Sequence, residues 1–350
     1  YVRGLKPPRG AMSYTARTDR GWETFDYDYT EPAAGAPKPL ALLNHLGGDP
    51  LLAAVWRSNT TADDYRGFVK WAKVFGGHAE KVILAKGPDE VKEGWQKFRT
   101  DFVPLLGELS DVVEKLWIPA LDGEEGIVLD AKWASKRWAA QFEETAVPLP
   151  LPEFGVVLGV ADAGKLKQAL EGYRTVVNKV IAKVSELSMG AVPEVQIPKP
   201  QIEAEAGRET AYYPIPADAG LDPRVRPTGG LTPKVAALTL SKEHTIRLLD
   251  DRPLRVDAAP LKDLKRPLDS VFYFHWAGMV ETGGVWAEYF IRQRAGADAG
   301  DAKTELATAR SVIQFLQVFR SYTSATYREG KATVTHSEAI FRDVPGDGKR

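Results

Sequence analysis

PLDSVFYFHWAGMVETGGVWAEYFIRQRAGADAGDAKTELATARSVIQFLQVFRSYTSATYREGKATVTHSEAIFR, residues 267–342, is the stretch whose reading decides the fold. Its opening SVFYFHWA (Ser270 to Ala277) is a run of β-branched and aromatic residues and reads as a strand. Helical spacing follows from about Val280 to Arg292 and again from about Ala302 to Arg320. A hairpin from Thr323 to Phe341 closes the stretch. The same order of elements recurs upstream, which predicts an α+β fold of repeated β-α(-α)-β-β units. Such a unit has one apolar helix face and one apolar sheet face, so stacked units merge antiparallel or mixed sheets under a cover of helices.

Bulk properties set the outer bounds. The 350 residues are 44% hydrophobic and 27% charged, enough for a substantial core in one large or a few small domains. With 46 basic and 47 acidic residues, no net field draws in nucleic acid or an anionic membrane. The absence of cysteine removes disulfides, thiolate metal sites and cysteine nucleophiles. No run approaches the roughly 20 apolar residues of a membrane helix. The sequence starts at Tyr1 rather than Met, as after processing or trimming of an N-terminal segment, a removed secretion signal being one candidate.

Upstream, residues 1–39 read as an N-terminal arm containing Pro7 and Pro8, a β-hairpin and a linker. The hairpin is SYTARTDRGWETFDYDYT (Ser13 to Thr30), turning at Asp19-Arg20-Gly21, and the linker is EPAAGAPKP (Glu31 to Pro39). Unit one is expected over residues 40–146. It has a short helix from Leu40 to Leu46, the strand LLAAVWRS (Leu51 to Ser58) and a helix opened by Thr61 and Asp64 as a capping box. Tyr65, Phe68, Val69, Ala72 and Phe75 recur along that helix; a second runs from Asp89 to Leu116 and is expected to kink or break at Pro104. A hairpin from Gly126 to Phe142 is expected to close the unit.

Unit two, residues 147–266, begins with the strand FGVVLGVA (Phe154 to Ala161) and a helix from about Ala163 to Leu187. A proline-rich crossing, VPEVQIPKPQIE, follows. TAYYPIP, VAALTLS and TIRLL then read as a three-stranded meander whose last turn is Lys242-Glu243-His244. Unit three occupies residues 267–350.

Few residues point to chemistry. Gly159 to Lys165 has the G-x-x-x-x-G-K spacing of a phosphate-binding loop after a strand, but Leu166 stands where a hydroxyl would meet magnesium. Asp162 puts a negative charge where phosphate would sit, which favours a helix cap instead. The five histidines, His45, His78, His244, His275 and His336, include no pair at zinc-helix spacing. His275 and His336 are the pair to locate in space, with Asp130 and Glu338, because imidazole titrates near neutrality. Asp26 and Asp28 fall on one strand face, which suits a weak calcium or magnesium site or a solvated face. No G-x-S-x-G elbow is present. The nine tryptophans read as core packing or interface anchors.

The strings HLGGDPLLAAVWRS, GIVLDAKWASKRW, PEFGVVLGVADAGKLKQALEGYR and YREGKATVTHSEAIF resemble those of secreted proteins of unknown function from planctomycete-type bacteria. The resemblance covers most of the chain from about residue 40. It implies an extracytoplasmic location, in the periplasm, the cell envelope or outside the cell, and brings no catalytic, cofactor-binding or metal residue with it. The expectation is a non-enzymatic structural or interaction protein, a subunit or scaffold in a larger assembly. It has protein partners or self-association, no cofactor, no nucleotide, no nucleic acid and no transmembrane segment. The alternatives are a periplasmic hydrophobe or small-ligand binder, or an enzyme whose site is assembled from separate units.

Overall fold

A computed structural model of the chain describes residues 10–29, 38–188, 191–193, 195–205, 208–263, 266–295 and 299–342. The N-terminal arm (1–9) and most of the linker (30–37) lie outside the described residues. The strands are β1 (Ala11–Arg17), β2 (Gly21–Asp28), β3 (Leu52–Arg57), β4 (Leu121–Ser135), β5 (Leu149–Val160) and β6 (Gln201–Glu205). They continue as β7 (Arg208–Tyr212), β8 (Thr228–Leu231), β9 (Val235–Thr239), β10 (Leu268–Phe274), β11 (Phe319–Glu329) and β12 (Ala332–Phe341). All twelve form one sheet in the order β1-β2-β12-β11-β10-β3-β4-β5-β9-β8-β7-β6. Every pairing between these twelve strands is antiparallel. The two middle strands are β3 and β4, and on its other side β3 pairs with β10, with Val55 opposite Val271.

The helices are α1 (Ala62–Lys86), α2 (Asp89–Val112), α3 (Ile118–Ala120), α4 (Ala163–Leu187), α5 (Lys242–Leu249), α6 (Trp276–Ala295) and α7 (Ala299–Leu316). Local chemistry fixes several starts. Thr61 and Asp64 form the expected reciprocal capping box on α1. Asp162 caps α4 and Ser241 caps α5 by accepting amides of the first turn. Pro104 lies inside α2, which runs through it and breaks only afterwards, into a π-turn at Val113–Trp117.

Two expectations are corrected. TIRLL is not a strand: once Ser241 caps the turn, Lys242–Leu249 is helical and buries His244, Thr245, Leu248 and Leu249 on one face. Gly126 to Phe142 is not a hairpin: residues 121–135 are a single long strand whose partner is β5, bulged between Asp130 and Trp133.

Alternation along the strands sends Ala53, Val55, Val128, Val157, Val271, Tyr273, Ala325 and Val334 to one face, where they form the main core. This face is covered by short segments rather than by the long helices: Leu40 to Leu46, α5, and Leu254 to Leu261. Buried glutamates hold two of them. Glu124 on β4 accepts the Leu42 amide at 3.1 Å and Arg57 at 3.0 Å, and Glu338 on β12 accepts the Ala259 amide at 2.7 Å. Close approach of α5 explains two glycines. A Cβ at Gly155 would lie 2.8 Å from Leu248 Cδ1, and one at Gly230 would lie 2.4 Å from Thr245 Cγ2.

Leu248 is fully buried in this core, whereas Leu238 is 57% exposed on the opposite sheet face. Leu248→Ala is expected to cost about 2–5 kcal/mol in urea unfolding, and Leu238→Ala within about 0.5 kcal/mol of nothing. Equal effects would mean that the cover segments do not carry the core.

Candidate interaction surface

The structure separates the residues singled out from the sequence. Asp162 Oδ1 accepts the Lys165 amide at 2.9 Å, Leu166 is buried, and the Asp122 carboxylate occupies the space beside Gly159. Two carboxylates therefore sit where a phosphate cradle needs donors. His336 lies opposite Ala325, which lies opposite Val271, and His275 follows just beyond the end of β10. Two strand spacings and four residues put the imidazoles roughly 16 Å apart. His336 stacks on Phe25 with centroids 4.0 Å apart and has Glu23 at 3.7 Å. Asp130 lies on β4, four strands from Glu338, and pairs with Arg247 at 3.3 Å and Lys132 at 3.6 Å. These four side chains do not share a site. Asp26 and Asp28 lie on β2, and among the described residues no three His, Cys, Asp or Glu side chains gather to hold a metal ion.

One polar pair escaped the sequence reading. Glu153 on β5 and His244 on α5 are both fully buried, with Nδ1 and Oε2 3.3 Å apart but out of hydrogen-bonding alignment. A histidine inside a helix and a glutamate at the start of an apolar strand give no joint signal until α5 folds onto β5.

The other half of the molecule is open. On the second sheet face Phe154 and Leu238 are exposed, and Ala54, Ile127, Val156 and Phe272 are only half-buried. Because β3 and β10 are antiparallel, α1 and α6, which follow them, leave from opposite ends of the sheet. Neither α1 nor α2 contains a buried residue.

Residue spacing shows how these helices are arranged. Asp101, Glu108 and Val112 lie on the flank of α2 that meets α4, through Lys183 at 3.6 Å, Lys179 at 2.6 Å and Gly172. Arg99, on the opposite flank, pairs with Glu80 of α1. Arg66 of α1 pairs with Glu114 at 2.8 Å. Between the flanks runs the apolar line Val91, Trp95, Phe98, Phe102, Leu105 and Leu109. On α1 the half-buried positions Tyr65, Val69, Gly76, Glu80 and Ile83 face α2. A second line, Phe68, Ala72, Phe75, Ala79 and Val82, at steps of three and four, faces solvent. Helical spacing alone does not separate the two lines of α1. The result is a groove with α2 as its floor and α1 and α4 as its walls.

The accessible area agrees. It is 21,319 Å², whereas a compact chain of this mass exposes about 14,000 Å². Fully extended chain for every residue outside the described set, at about 1.45 Å² per dalton, adds at most about 5,600 Å² and does not close the gap. The tryptophans divide between core and surface. Trp133 and Trp138 are buried edge to face 4.6 Å apart, whereas Trp22 and Trp71 are about half exposed.

A smaller cleft of about 690 Å³ lies between α6, α7 and residues 144–149, walled by Val147, Val285, Tyr289 and Ile313 beside Glu288 and Arg310. Arg310 is held by Glu288 at 2.8 Å. The chain matches no family model, no curated protein and no solved structure.

Burial is the main cause that pushes the ionisation of His275 and His336 below the ordinary 6.5, against the opposing pull of Glu281 and Asp49 on the first and of Glu23 and Glu338 on the second. The unfolded chain therefore takes up protons first as pH falls through that value. The stability these groups contribute is fully present above about pH 6.5 and is lost below it. The urea midpoint is expected to fall between pH 7.5 and 5.5, and the double variant His275→Gln, His336→Gln to shrink that fall. An unchanged pH dependence in the variant would show that other groups cause it.

Proposed function

We propose that this chain is a non-enzymatic, extracytoplasmic structural or interaction protein, a subunit or scaffold in a larger assembly. The observation that carries the reading is the open apolar groove on α1, α2 and α4. Monomers rarely leave contiguous apolar surface of this extent to water unless something docks there. The extracytoplasmic location rests on the resemblance of the quoted strings to those of secreted proteins.

The same reading takes β3-α1-α2-β4-β5 and β10-α6-α7-β11-β12 as two copies of one unit that meet at the β3/β10 pair. Its support is the strand order, which runs β3-β4-β5 in one direction and β10-β11-β12 in the other. Residues 147–266 are taken as a third, more divergent unit that shares β5 with the first and continues with α4, and residues 11–28 as an N-terminal hairpin that extends the sheet beyond β12. Arms at opposite ends of a rigid sheet suit a part that joins two neighbours.

A second reading, a binder of a hydrophobe, is favoured by the cleft between α6 and α7, whose walls are mostly apolar. It predicts that an extract of the purified protein contains a stoichiometric lipid visible by mass spectrometry.

The assembly reading predicts a native particle heavier than the 38.5 kDa chain in light scattering at working concentrations. A particle that keeps the monomer mass over a wide concentration range, and with which no other protein copurifies, would overturn it.

A further inference from the structure

Resting on that reading, we propose that the groove is filled by a second copy of this chain, the α1–α2 hairpins of two molecules pairing about a two-fold axis to complete a helical bundle. A flat lipid surface reaches the rims of a groove but not its floor. A helix reaches both, and Val91 and Phe98 on the floor are exposed as well as the wall residues Phe68 and Phe75.

The occupant has to be apolar along most of a helix of matching length. The α1 line from Phe68 to Val82, at steps of three and four, is such a face, presented by the same hairpin that forms the groove. A two-fold pairing uses one patch on both molecules, so the groove and the stripe satisfy each other without a second design. Arg66, Lys70, Lys73 and Lys81 fall on the side of α1 away from the stripe, so closing the bundle buries none of them.

The area is sufficient. Phe68, Phe75 and Val82 are 68%, 67% and 61% exposed, and Leu106 is 52% exposed. With Val91 and Phe98, and aromatic side chains of about 150–250 Å² each, this side of the hairpin offers on the order of 600 Å² of apolar surface. A standard interface buries about 800 Å² per partner, of which a little over half is apolar. Covering it also supplies what a 25-residue helix with no buried residue lacks.

The test is sedimentation velocity on the full chain beside variants. Phe68→Asp with Phe75→Asp is expected to raise the dimer dissociation constant at least about a hundredfold, while Lys70→Asp with Lys73→Asp leaves it unchanged. Circular dichroism and the urea midpoint report whether each variant is folded. The natural absence of cysteine allows a second measurement that keeps the apolar line nearly intact. Single cysteines at Ala72, Ala79 and Val82 are expected to include at least one that gives a disulfide-linked dimer under mild oxidation, and cysteines at Lys70, Lys73 and Lys81 none. A wild-type chain that sediments as a monomer overturns the inference. So does a dimer that the two aspartates do not weaken, or one that crosslinks only through the basic side. A heavier particle built with another protein, with no self-association through α1, overturns it while leaving the assembly reading standing. Binding to phosphatidylglycerol vesicles by a monomer, abolished by the aspartates, would give the groove residues to a membrane instead and also overturns it.

Discussion

A sheet of twelve strands buries nothing by itself; one of its faces has to be sealed by other parts of the chain, and here most of that cover is irregular. Short irregular segments expose many main-chain donors, and a donor over an apolar core needs an acceptor. Glu124 and Glu338 supply acceptors from within the sheet, to Leu42 and Ala259. Each carboxylate is nearly inaccessible, and each has a guanidinium nearby, Arg57 at 3.0 Å and Arg20 at 3.6 Å. A buried charge that both anchors a loop and meets a cation is tolerated where an unpaired one is not.

Sealing one face in this way frees the long helices from that duty. α4 contributes Leu166 to a small cluster with Ala120 and Val160, and α6 contributes Tyr289 to one with Trp133, Trp138 and Leu149. These clusters fix the bases of the arms at the sheet. Beyond them α1 and α2 are held to each other and to α4 largely by ion pairs between exposed or half-exposed groups, which stabilise weakly. The groove therefore follows from the division of labour between short cover segments and long helices.

Much of this was legible in the residues because the signals are local. Thr61 with Asp64, Asp162, and the apolar runs at Val156 and Val271 fix starts, ends and element types without reference to anything distant. TIRLL was misread because a short run with two β-branched residues is compatible with a strand until Ser241 supplies a cap; the packing of Leu248 and Leu249 on β5 and β8 then decides. The long β4 was misread because its partner β5 starts fourteen residues after β4 ends, and a nearer turn looked sufficient. The groove was hidden for a different reason. Periodicity shows that α1 is apolar along Tyr65, Phe68, Val69, Ala72 and Phe75, but which of these meet α2 depends on the angle at which the helices cross, and that angle is set at their base.

That base is the π-turn at Val113–Trp117, where α-helical geometry gives way before the sheet begins at Leu121. A wide turn lacks the tight i to i−4 bonding that makes a helix stiff. The 24 residues of α2 extend about 36 Å beyond it. The arm is thus a lever with a short pivot: a tilt of about ten degrees there would carry its tip by about 6 Å, more than the pitch of one helical turn. The packing of Trp117 on Tyr173 and of Val112 beside Gly172, far from the tip, therefore bears on where Phe75 and Val82 lie.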